Sequence, residues 1–134
     1  TLRIGTSDIY IAGIDDVSTE MDDAKSVAAQ VNSKDFVIFL AHNPSVISSS
    51  LLLTDRNGRG NWFDLGLFGH THGGQIPFLE EAFNFNGVPS RYESGLLLEN
   101  RSWLLISRGV GTTGLPARLF CQPEIHLITV QSGT

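Results

Sequence analysis

Apolar residues along the chain recur with two periods, near 2 and near 3.6, in alternating stretches. Residues 8–14 alternate loosely and are rich in Ile and Tyr, which predicts a strand ending on Asp15-Asp16. Ser18 and Thr19 precede Met21, Ala24, Val27, Ala28 and Val31, an apolar set at helical spacing. Thr19 with Asp22 three residues on is a capping-box pattern, so a helix over about 19–32 is predicted. Residues 36–41 are uninterruptedly apolar, as in a central strand covered on both faces, and His42-Asn43-Pro44 stops them. A weaker helix over about 45–53, a polar loop over about 55–60 and a short buried strand over about 64–68 follow. The first 70 residues thus read as strand–helix–strand–helix–strand, a parallel sheet with crossover helices.

Beyond residue 71 the pattern changes. Gly73-Gly74, Pro77, Asn86-Gly87 and Pro89 mark a long irregular stretch. Two apolar runs separated by Asn100-Arg101-Ser102 predict a hairpin over about 95–107, and a last strand is expected over about 124–130. No repeat, low-complexity tract or linker interrupts residues 1–134, which are read as one unit, the whole or part of a single domain.

Three strand-like segments end in residues that ligate or hydrogen-bond well: Asp15-Asp16, His42-Asn43 and His70-Thr71-His72. In open α/β sheets ligands bind at the carboxyl ends of parallel strands, and three of the 4 histidines fall there. In extended backbone His70 and His72 share a face with Cα atoms about 6.5–7 Å apart. That spacing could chelate one ion, or place one imidazole on each member of a metal pair about 3.5–4 Å apart. The glycines around the pair let the backbone approach a ligand closely, or simply make a tight turn.

Composition narrows the partners. Nine Lys and Arg against 14 Asp and Glu give a formal charge of -5, and the positive residues are scattered singly, so no nucleic-acid surface is evident. The single cysteine, Cys121, excludes an internal disulfide and a Cys-based zinc site, and is compatible with a reducing cytoplasm. The longest apolar run falls far short of the roughly 20 residues a membrane span needs. The expected location is cytoplasmic, with membrane association through an upstream segment as its alternative.

The segment Leu67-Phe68-Gly69-His70-Thr71-His72-Gly73-Gly74-Gln75-Ile76 resembles the terminal Gly-His-Thr-His motif of the calcineurin-like metallophosphoesterases. Its trailing Gly-Gly-Gln-Ile resembles the bacterial phosphodiesterase-type branch, some of whose members cleave the pyrophosphate of UDP-diacylglucosamine. Leu40-Ala41-His42-Asn43-Pro44 and the stretch from Ser107-Arg108-Gly109 to Pro123-Glu124-Ile125 resemble the same branch, in the same order. The family's opening Asp-x-His, Gly-Asp-x-x-Asp and Gly-Asn-His motifs have no counterpart here. The resemblance therefore implies the carboxy-terminal half of a four-layer α-β-β-α sandwich. It also implies two divalent transition metal ions in the complete enzyme, Mn, Fe or Zn, and one or none on this chain alone. His42 and His70 are carried over as ligands of one metal and His72 of the other. The implied reaction is hydrolysis of a phosphodiester or pyrophosphate by a hydroxide that two metals activate. The implied partner is an amino-terminal half of the same domain, without which this chain is expected to be inactive. The alternative is a non-catalytic fragment or metal-binding module that pairs with another chain.

Among the remaining residues, Arg108 is the candidate phosphate contact, with a surface ion pair as its alternative. Asn43 is a candidate substrate contact or a turn former. Asp15 and Asp16 are expected to bind backbone at their turn rather than orient a histidine. Arg118 is expected to be structural, in a strand-like segment. His126 is expected to be a satisfied histidine on a sheet face, Trp62 and Trp103 to lie in the core, and Cys121 to be an inert buried thiol.

Overall fold

A computed structural model describes residues 1–5, 7–19, 23–84 and 86–131. Six strands form one sheet: β1 (Leu2–Ile4), β2 (Ser7–Gly13), β3 (Phe36–Leu40), β4 (Leu65–Phe68), β5 (Gly95–Glu99) and β6 (Ser102–Ile106), in the order β1-β2-β3-β4-β6-β5. The four middle strands β2, β3, β4 and β6 run parallel, while β1 and β5 pair antiparallel at the two edges. The fold is therefore α/β, with the parallel centre expected from the alternating elements and a β5–β6 hairpin. Asn100 and Arg101 both take positive φ, 46° and 71°, which matches the right-handed twist of the flanking strands in a two-residue turn.

The helices are shorter than the periodicity suggests. Helix α1 covers Ala24–Ala28, and its N-cap is Asp23, whose carboxylate accepts from the Ser26 N–H at 2.9 Å. Thr19 instead ends a 3-10 turn, Val17–Thr19, and Met21 and Asp22 lie outside the described residues. Beyond Ala28 the chain tightens into turns, with Gln30 N–H bonded to Val27 O and Val31 N–H to Ala28 O. The apolar stripe still works as expected, since Ala28 and Val31 are buried and Ala24 and Val27 pack beside them. A 3-10 turn, Pro44–Val46, leads into α2 (Ile47–Ser50). Within the stretch expected to be irregular lies α3 (Pro77–Phe83), begun by Pro77 and closed by left-handed Asn84.

One face of the sheet carries the core. Val37, Phe39, Phe68, Leu104 and Ile106 point into it and meet Ala28, Val31, Val46, Ile47, Trp62, Phe63, Val88 and Tyr92. Phe39 is its centre, with ring centroids 4.9 Å from Trp62, 5.3 Å from Phe63 and 6.0 Å from Phe68. Trp62 is buried as expected, and its Nε1–H donates to Ser50 O at 2.9 Å.

The opposite face departs from expectation. Strand register aligns Ile11, Ile38, Leu65, Trp103 and Leu98 in one row across five strands, and Leu40, Leu67, Leu105 and Leu96 in the next. Ile11, Leu40, Leu96, Leu98 and Trp103 are exposed, Trp103 at 48%. Trp103 is thus a face residue rather than a core one, and β3 is covered by packed elements on one side among the described residues.

Residues 124–130 form no strand. They join neither edge strand, β1 or β5, and so complete no ladder. The segment instead runs past the open face, anchored by Glu124 N–H to Gly109 O at 3.0 Å. It leaves a cleft of about 890 Å³ lined by Phe36, Leu65, Leu96, Trp103, Ile125 and Leu127, among others.

Candidate functional site

The carboxyl ends of the parallel strands gather the polar groups. Backbone bonds lock them edge to edge: Ile14 N–H to Leu40 O at 3.2 Å, Ala41 N–H to Leu67 O at 3.2 Å, Gly69 N–H to His42 O at 3.0 Å, and Ser107 N–H to Phe68 O at 2.9 Å. The turns after β2, β3, β4 and β6 are thereby held side by side, and these carry Asp15-Asp16, His42, the His70–His72 loop and Arg108.

His42 Nε2 and His70 Nδ1 lie 3.4 Å apart, with the rings close to perpendicular. Two imidazole nitrogens bound to one tetrahedral ion at about 2.0–2.1 Å stand about 3.3–3.4 Å apart, so the donor pair fits a shared metal. Burial, and secondarily the neighbouring His42, hold the His70 pKa below its ordinary value, while Asp16 acts in the opposite direction. Asp16 Oδ1 accepts from Ser18 N–H at 2.9 Å and Asp15 Oδ1 from Asp16 N–H at 2.8 Å, the backbone role expected of them. Among the described residues, no three His, Cys, Asp or Glu side chains come together as a group able to hold a metal ion.

His70 and His72 do not share an extended strand. Strand β4 stops at Phe68, and the following loop has positive φ at His70 (67°), His72 (52°), Gly73 (62°), Gly74 (72°) and Gln75 (47°). Left-handed backbone at non-glycine residues is costly and clusters at functional sites. This winding turns the two imidazoles to different neighbours: His70 meets His42, and His72 Nδ1 lies 3.2 Å from Gly111 O. A carbonyl oxygen only accepts, so this contact puts the proton on Nδ1 and leaves the lone pair on Nε2, the state a ligating imidazole needs.

The loop is held by residues for which the sequence suggested no role. Thr71, almost fully buried, donates through Oγ1 to Glu93 O at 2.6 Å and accepts from Gly73 N–H at 3.1 Å. Gln75 binds Thr113 and Leu115 O through Nε2, and its Oε1 accepts from Thr113 N–H at 2.8 Å. Cys121 is buried as expected, its Sγ 3.2 Å from His72 O and 3.1 Å from Gly73 O. Residues 107–121 thus form a strap around the histidine loop. The Gly-Gly-Gln run after His72 was the available signal for this docking.

Arg108 sits at the base of the strap. Its Nε and Nη2 donate to Glu124 Oε2 at 2.9 and 2.6 Å, and its backbone N–H donates to Oε1 at 2.8 Å. These bonds pull the Glu124 pKa down to about 2 and raise that of Arg108. His126 Nε2 lies 3.2 Å from Glu124 Oε1, so its partner is this carboxylate rather than a sheet face. Asn43 Oδ1 accepts from Ser45 N–H at 2.9 Å and caps the turn after β3. Arg118 lies in no strand, and its guanidinium is surrounded by backbone carbonyls of the strap and of His72.

Parallel strands that end in paired imidazoles, with a left-handed loop carrying a third, gather three histidines at the carboxyl edge of an α/β sheet. The chain is similar to several bacterial proteins. The uncharacterized protein YpbG of Bacillus subtilis is 35% identical over 124 residues, 91% of this chain and 42% of that protein. The uncharacterized metallophosphoesterase YkuE of the same organism is 32% identical over 130 residues, 94% and 42%. Phosphodiesterase YaeI of Escherichia coli is 37% identical over 97 residues, 68% and 31%. The names of the latter two support the metallophosphoesterase superfamily, whose members act on phosphoester bonds, and the chain spans less than half the length of each of the three relatives. The α/β sheet and this partial coverage are consistent with the carboxy-terminal half of such a protein. No family model and no solved structure matches the chain. Among the described residues no helix is long and apolar enough to cross a membrane.

Proposed function

We propose that residues 1–134 are the carboxy-terminal part of a metal-dependent phosphoesterase that hydrolyses a phosphodiester or pyrophosphate bond. The observation that carries this reading is the 3.4 Å separation of His42 Nε2 and His70 Nδ1, the spacing of two ligands on one ion. His42 and His70 would hold one divalent ion, Mn, Fe or Zn, and His72 would offer Nε2 to a second. Bound there, such ions would polarise a phosphoryl oxygen and supply a water nucleophile at neutral pH. Asn43, with Oδ1 used in the turn, keeps its amide N–H groups for a phosphoryl oxygen. Arg108 reaches a phosphate by exchanging it for Glu124.

Three histidines do not complete two coordination spheres, so the remaining ligands come from an amino-terminal half of the same domain. The two apolar rows on the open sheet face favour such a partner, since monomers rarely leave a contiguous patch of this kind uncovered. The test is hydrolysis of bis(p-nitrophenyl) phosphate by the full-length gene product with added Mn²⁺. Turnover that disappears in His42→Ala and His70→Ala is expected. Full turnover in either variant overturns the reading. A non-catalytic module pairing through the open face is the second reading, favoured if the metal-loaded full-length product is inert while residues 1–134 dimerise in sizing chromatography.

A further inference from the structure

We propose that Arg118 is a positioning residue for His72: its guanidinium fixes the Gly111 carbonyl that sets the imidazole's tautomer. The inference rests on the proposed ligand role of His72 only for its consequence, while its structural content stands on the hydrogen bonds. All five N–H groups of Arg118 have acceptors. Nε donates to Gly111 O at 2.9 Å, and Nη1 to His72 O at 3.0 Å and Cys121 Sγ at 3.5 Å. Nη2 donates to Arg108 O at 2.7 Å and Gly111 O at 2.6 Å. One side chain therefore ties the backbone of His72 to both ends of the Arg108–Gly111 turn.

The count of protons decides the tautomer. Nη2 also lies 3.5 Å from His72 Nδ1, but both its hydrogens are committed to the shorter carbonyl bonds. His72 Nδ1 therefore receives no proton from Arg118 and must supply one to Gly111 O, 3.2 Å away. Nε2 is left unprotonated as the ligating atom. The Gly111 carbonyl stays within reach only because the planar fork grips it with two donors, which the three rotatable donors of a lysine do not reproduce. Arg118 touches neither substrate nor metal in this scheme. It acts through His72.

The test uses the full-length gene product labelled with ¹⁵N-histidine, with His72 assigned by comparison with His72→Gln. In the metal-free wild type, two-bond ¹H–¹⁵N correlation is expected to show His72 protonated at Nδ1 and bare at Nε2. In Arg118→Met it should become a mixture with the Nε2–H form, and Arg118→Lys should not restore it. Mn²⁺ titration followed by electron paramagnetic resonance should show one of two ions weakened about 10–100-fold in both variants, the scale of lost outer-shell support. A wild-type His72 protonated at Nε2 overturns the proposal without any variant, as does an Arg118→Met protein whose tautomer and Mn²⁺ affinities are unchanged. If Arg118→Met does not fold, Arg118→Lys and the wild-type tautomer decide. A wild type with the expected tautomer and no Mn²⁺ binding defeats the phosphoesterase reading and leaves the Arg118 assignment standing.

Discussion

Replacing Gly73 with alanine should destabilise the protein by about 2–5 kcal/mol, through two separable effects. Gly73 has φ 62°, and a side chain there costs about 1–2 kcal/mol in the left-handed region. The new Cβ would also press on Arg108 Cγ, and would lie 2.6 Å from Arg108 Cδ and 2.8 Å from Cys121 Sγ. These are not free side-chain ends. Glu124 holds the Arg108 head at 2.6 Å, and Cys121 is buried against the same loop. Relief requires moving the strap, an overpacking cost of about 1–3 kcal/mol. With a urea slope of about 2 kcal/mol/M, the unfolding midpoint should fall by about 1–2.5 M. Gly58→Ala isolates the backbone effect, because Gly58 has φ 74° and nothing lies within 4 Å of its added Cβ. It should lose about 1 kcal/mol. A Gly73→Ala midpoint equal to that of Gly58→Ala refutes the packing of strap against histidine loop.

The Arg108–Glu124 pair gives a pH signature. Glu124 is depressed from 4.5 to about 2, so its contribution is complete above about 4.5 and disappears as the pH falls toward 2. The melting-temperature gap between wild type and Glu124→Gln should be largest above pH 5, worth about 1 kcal/mol given the exposure of Arg108, and should close near pH 2. A gap independent of pH contradicts the pairing. Trp62→Phe should cost about 1–3 kcal/mol in urea unfolding, through loss of the bond to Ser50 O and of ring contact with Phe39. A change below 0.5 kcal/mol, by the usual surface-mutation scale, argues against Trp62 as a core anchor.

Much of the fold was legible because burial writes itself into periodicity. Strands β2, β3 and β4 and the hairpin lie where alternation or apolar runs put them, and the three polar strand ends meet at one edge. The failures have separate causes. Asp23 outcompeted Thr19 as the cap of α1 because its carboxylate reaches the Ser26 N–H directly. Helix α3 was hidden by reading Pro77 as a breaker, when at the first helical position proline is compatible with a helix. Residues 124–130 have strand composition but join neither edge of the sheet, β1 or β5, and run past its open face instead. Composition also does not show backbone sign. The loop with positive φ at His70, His72 and Gln75, all non-glycine, is tied to distant parts of the chain, Thr71 to Glu93 O and the His72 carbonyl to Arg118 and Cys121. That winding separates two histidines that an extended strand would have kept on one face.

The most direct measurement is a crystal structure of the full-length gene product grown with Zn²⁺ or Mn²⁺, with the ions located by anomalous scattering. One ion is expected within about 2.0–2.2 Å of both His42 Nε2 and His70 Nδ1, and a second on His72 Nε2. An ion bound by His70 and His72 together, or an ordered His42–His70 pair with no ion between them at saturating metal, contradicts the proposed division of the three histidines.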